Sequence, residues 1–118
     1  MSKNDTTNND QPISTSSSRT QAVEITNALP LRLHAFDLAR HVVTSPDGKR
    51  FVVATSDDTH LGRGYITAVY PQQNDYLTLV RLTILQTVSK TPEDAIKRHI
   101  SVAHSIQQGK LKELNKFA

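Results

Sequence analysis

A chain of 118 residues with 36% hydrophobic side chains, no cysteine and a formal charge of +3 has room for one domain. That composition excludes a disulfide framework and a thiolate metal site, and no stretch approaches the roughly 20 apolar residues of a membrane span. Lys3 and Arg19 against Asp5, Asp10 and Glu24 leave residues 1–26 at −1, while the remaining 12 basic and 8 acidic residues give +4, too mild a surplus to specify a nucleic-acid partner by itself.

The opening "MSKNDTTNNDQPISTSSSRTQ" holds only Met1 and Ile13 as sizeable apolar side chains. So little burial cannot offset the entropy of ordering the backbone, so a disordered polar tail is expected over residues 1–25, followed by a single α+β domain over residues 26–118. No apolar run follows Lys3, as a secretion signal requires, and Asp5 and Asp10 do not suit a mitochondrial presequence. A cytoplasmic location is the expectation.

In "NALPLRLHAFDLARHVV", Leu31, Ala35, Leu38 and Val42 fall at helical spacing, as do Phe36, Ala39 and Val43. Asn27 and Pro30 supply helix-start chemistry, so the spacing predicts a helix from about Pro30 to His41. Alternation at Leu31, Leu33 and Ala35 leaves a strand open for the first few of these residues.

"HVVTSPDGKRFVVATSDD" (41–58) carries Pro46-Asp47-Gly48, a strong turn signal, and "RFVVAT" suits a strand. The same string resembles one blade edge of a β-propeller. A propeller needs at least four blades of roughly 40 residues each, and no second Pro-Asp-Gly occurs here, so the stretch reads as a turn leading into a strand. "SDDTHLGRG" (56–64) gathers Asp57, Asp58, His60 and Arg63. Two carboxylates and an imidazole suit a hard cation or an acid–base pair, but exposed loops collect these residues and no second cluster completes a site. "YITAVY", the turn "PQQND" and the long strand "YLTLVRLTILQTVS" follow.

The last segment opens on a helix signal: Thr91 as cap, Pro92 in the first turn, Glu93 and Asp94 at the positive end of the dipole. Ile96, Ile100, Ala103 and the Ile106/Gln107 position make the expected apolar stripe, extended by Leu111 and Leu114. His99 and His104, five apart, rotate by about 140° and cannot share a metal, and a zinc-protease spacing is absent. His34 and His41, seven apart, match an ordinary amphipathic repeat. With no serine elbow either, neither an enzyme activity, a catalytic residue, a metal site nor a cofactor is expected.

The expected fold is therefore α+β: a small antiparallel sheet of three to four strands with an N-terminal and a C-terminal helix. Helix, three strands, helix is also the order of double-stranded-RNA-binding domains, a resemblance of topology alone that covers roughly residues 30–108. Where such domains place lysines, at the start of the last helix, this chain has Thr91-Pro92-Glu93-Asp94, which opposes phosphate.

The long strand carries the functional expectation. Val80, Leu82, Ile84 and Val88 point one way and Leu77, Leu79 and Leu85 the other, apolar on both faces where a half-solvated strand alternates. Either helices cover opposite faces, or one face is buried on another molecule. The reading that follows is a non-enzymatic interaction module, an accessory or regulatory subunit, docking on a protein partner or a second copy through a sheet face or edge at Leu77, Leu79 and Leu85, or at the opposite set of Val80, Leu82, Ile84 and Val88, for whichever face lacks a covering helix. The alternative is a nucleic-acid binder using a basic patch of Lys49, Arg50, Arg63 and Arg81. Its six aromatics are too few and too scattered for a base-stacking platform.

Overall fold

The computed structural model of the protein describes residues 23–72 and 83–115. Among them, five strands pair in chain order as one antiparallel meander: β1 (Leu29–Pro30), β2 (Asp37–Thr44), β3 (Arg50–Asp57), β4 (Tyr65–Pro71) and β5 (Leu85–Ser89). One long helix, α1 (Pro92–Gln107), crosses the sheet, and a five-residue helix, α2 (Leu111–Asn115), follows it. The architecture is α+β, but the sheet has five strands and the expected N-terminal helix is absent from it.

Residues 30–43 are the correction. They form the end of β1, a connection and most of β2, and Phe36 at φ 76° has a backbone no right-handed helix accepts. The helical spacing of Leu31, Ala35, Leu38 and Val42 was outweighed by strand pairing: β2 bonds to β1 on one side and β3 on the other. Its period of two was hard to read because the helix-facing residues Ala39, His41 and Val43 include a histidine. With the first helix gone, the topological likeness to double-stranded-RNA-binding domains goes too.

The 41–58 string is the β2–β3 hairpin. Its turn is built by Gly48 N donating to the Ser45 carbonyl (2.9 Å), Ser45 N donating to the Lys49 carbonyl (2.8 Å) and the Asp47 carboxylate accepting from Ser45 Oγ. The Ser45 hydroxyl is the main reason the Asp47 carboxyl titrates below its ordinary range.

Side chains of successive strands line up in rows beneath α1. One row is Val43 and Phe51; the next His41, Val53, Val69 and Leu85; the third Ala39, Thr55, Thr67 and Thr87. The helix answers with Ala95, His99, Val102, Ala103 and Ile106, spaced at its own period. Ala103 and Ile106 of the expected stripe are buried, whereas its first half runs through Ala95 and His99 and leaves Ile96 and Ile100 half-buried. Ile100, Leu111 and Leu114 pack at its margin. The cap is as expected: Asp94 N donates to Thr91 Oγ1 at 3.1 Å, with Pro92 leading the helix. Ile25 is buried in the same core with Val23 against it, and Gln107 Nε2 donates to the Thr26 carbonyl (2.7 Å), so packing begins before residue 26. Residues 1–22 of the expected tail lie outside the described residues.

Gly64 ties the loop before β4 to the end of β5. Its φ is +80°, and a Cβ there would lie 3.0 Å from the Ser89 carbonyl oxygen, a backbone atom that cannot swing aside. Gly64→Ala is expected to cost about 1–3 kcal/mol, from left-handed strain plus that contact, read as a lowered urea midpoint with unchanged m. An unchanged midpoint would refute the close approach.

Candidate functional site

Among the described residues, two surface features and one buried network gather many of the chemistry-bearing side chains. The first feature is the edge of the sheet at β5, opposite the edge formed by the two-residue β1. No strand among the described residues pairs with the outer side of β5, and its Val88 is 58% exposed. Between this edge and α1 runs a groove of about 470 Å³. Val88, Ser89 and Lys90 form one wall; Asp94, Lys97, Arg98 and Ser101, one stripe of the helix, form the other. The side-chain ion pairs among the described residues are Arg40–Asp37 (3.7 Å) and Arg63–Asp58 (3.3 Å), so the three groove cations are uncompensated by contact. An enclosed, mostly apolar pocket is what small molecules favour. A polar trough along a free strand edge instead fits an extended backbone.

Leu77, Leu79 and Arg81 lie outside the described residues. Leu85 is 3% exposed and sits in the core under α1, so it offers no outward surface. Alternation along β5 carries Val88 to the other face, and it is this residue that stands out from the strand.

The basic positions expected to cluster are spread apart. Arg50 starts β3 and Lys49 lies in the hairpin turn; Lys49 lines a second groove of about 460 Å³ whose apolar wall is Pro46, Phe51, Ile106 and Leu111. Arg63 follows the far end of β3, whose eight residues span roughly 23 Å, and its guanidinium is held by Asp58. That separation is well beyond a Debye length of about 8 Å. Arg40 lies over the Tyr70 ring, 5.9 Å from its centroid, and pairs with Asp37.

The 56–64 connection is the second surface feature, a 3-10 turn (Thr59–Leu61). Asp57 accepts from Thr59 N (2.9 Å) and Thr59 Oγ1 (2.5 Å), and the Thr59 hydroxyl is the chief cause of its lowered pKa. Phe36, 58% exposed and at positive φ, stacks on the His60 ring with centroids 4.5 Å apart, next to exposed Leu61 in the same turn. Both carboxylates of this loop are thus engaged in turn formation and an ion pair. Among the described residues, no group of three or more His, Asp or Glu is placed to hold a metal ion. Nor is any helix among them long and apolar enough to cross a membrane.

Sequence reasoning missed the buried network. His41 Nδ1 and His99 Nε2 lie 2.9 Å apart, His99 Nδ1 and Thr55 Oγ1 2.9 Å, and Thr55 Oγ1 and Thr67 Oγ1 2.8 Å. All four side chains are 0–1% exposed. Removal from water, reinforced by repulsion from His41, pushes the His99 pKa down to about 3. Burial lowers His41 also; the main chain at Val23 opposes this more weakly, and His41 Nε2 makes no hydrogen bond of good geometry. Both rings are therefore neutral at pH 7, each donating through one nitrogen at most, and neither lines either groove. They organise the core under α1. The available signal was two histidines in otherwise apolar strand and helix settings, a pattern that fits a core or a surface histidine equally and says nothing of their pairing.

Compared with known proteins, the chain matches no protein-family model, no curated protein and no solved structure.

Proposed function

We propose that this domain is a non-enzymatic protein-interaction module, an accessory or regulatory subunit, that receives an extended segment of a partner along the free edge of β5. The observation that carries the reading is the end position of β5 in the sheet, with exposed Val88 and the groove against α1 beside it. Edge strands left open invite pairing, and natural domains use this for recognition: main-chain bonds supply affinity and alternate side chains supply selectivity. Leu85 serves the core, Leu77 and Leu79 lie outside the described residues, and the exposed apolar residue of the opposite set on this edge is Val88.

The test is selection of binders from a displayed library of random linear peptides, followed by amide hydrogen exchange on the complex. Protection concentrated at residues 85–89, and loss of binding in Val88→Lys, is the expected result. Protection confined to the Phe36–Leu61 corner would move the site off this edge.

A further inference from the structure

Resting on that reading, we propose that the occupant of the β5 groove is an acidic extended peptide, with carboxylates at alternate positions and apolar residues between them. A strand added beside β5 would direct every second side chain to the helix side and the others to the opposite face. On the helix side stand Lys97 and Arg98, with Lys90 at the end of the strand; Asp94 is the one opposing charge among the described residues of the groove. All three cations are exposed and belong to neither ion pair of the described residues. On the opposite face the neighbour is Val88, 58% exposed, which favours an apolar contact. The same charges argue against a second copy of the chain pairing edge to edge at β5. Such a dimer would bring two sets of three cations together. A nucleic-acid strand would bring phosphates but nothing to pair with the outward N–H and C=O groups of β5, and Asp94 would oppose it.

The experiment measures fluorescence anisotropy of labelled, end-blocked peptides of about eight residues on the full chain. One peptide alternates Glu and Val, the second Lys and Val, the third Ser and Val. A fourth is the Glu–Val peptide with backbone N-methylation, which cannot pair as a strand. The Glu–Val peptide is expected to bind, at least about tenfold tighter than the Ser–Val peptide and with no detectable binding of the Lys–Val peptide. Its affinity should fall roughly fivefold or more between about 50 and 300 mM salt. Lys97→Glu with Arg98→Glu should lose it; Lys97→Ala with Arg98→Ala, milder at these exposed sites, should weaken it. Equal binding of the Glu–Val and Ser–Val peptides, abolished by N-methylation, overturns the acidic preference while leaving strand addition standing. Binding of the N-methylated peptide as tightly as its parent overturns strand addition, and with it the alternating pattern. No binding by any of the peptides overturns both, as does displacement of the Glu–Val peptide by a tighter-binding oligo-dT of about twelve nucleotides, which would give the groove to nucleic acid.

Discussion

Between pH 7 and pH 4 the domain is expected to lose about 3 kcal/mol of stability through His99 alone, with His41 adding to the loss. The sign follows from proton counts. In the unfolded chain each imidazole takes a proton below about pH 6.5, whereas in the fold burial holds His99 neutral down to about pH 3. The unfolded state therefore binds more protons throughout that window, and stability rises with pH across it. The contribution is complete above pH 6.5 and is lost progressively as pH falls toward 3. The lowered carboxylates of Asp47 and Asp57 act in the same direction only below about pH 4, so the two windows separate. Against a typical total of about 5–15 kcal/mol, the histidine loss is large. Urea titrations at pH 7, 6, 5 and 4 measure it. A midpoint independent of pH over this range would mean that the rings are not enclosed together as described.

Removing one member of the network should cost more than its own bonds. His99→Leu strips the partner from His41 Nδ1 inside the core, an orphaned buried group that costs about 1–3 kcal/mol, and removes one of the two bonds of Thr55 Oγ1, which keeps Thr67, for about 0.5–1.5 kcal/mol more. A loss of about 2–5 kcal/mol is expected for that variant. Thr55→Val alone orphans His99 Nδ1 and Thr67 Oγ1, for about 1–3 kcal/mol. In the double variant neither side of the His99–Thr55 bond survives to be orphaned, so the combined loss should fall short of the sum by about 1 kcal/mol or more. Denaturant unfolding of the four proteins closes the cycle. Strict additivity would show that the 2.9 Å contact carries no coupling. The pH slope gives a second reading of the same bond, since His99→Leu should remove the larger part of it.

Parts of this fold and site were legible in the residues themselves. The Pro46-Asp47-Gly48 turn, the strands after it, and the Thr91–Asp94 start of the helix are local features whose signals lie within a few neighbouring residues. Of the strand expected over residues 76–89, the described part is strand at Leu85–Ser89, and there Leu85 faces inward and Val88 outward, on opposite faces as the alternation required. The expectations at Leu77, Leu79 and Arg81 fall outside the described residues. The spread of Lys49, Arg50 and Arg63 could not be read without the β3 register that separates them.

By itself, then, the sequence determined the α+β class, the capped C-terminal helix and the tight β2–β3 turn, because dihedral preference, capping and burial pattern act over short range. Only tertiary structure decided three things. It made residues 37–44 a strand rather than a helix, since pairing on two sides outweighs a weak local period. It enclosed His41, fifty-eight residues from His99, in one hydrogen-bonded row with Thr55 and Thr67, which no linear spacing encodes. And among the described residues it placed β5 at one end of the sheet beside Lys97 and Arg98, because the order of strands, not their composition, determines which of them lie at the ends.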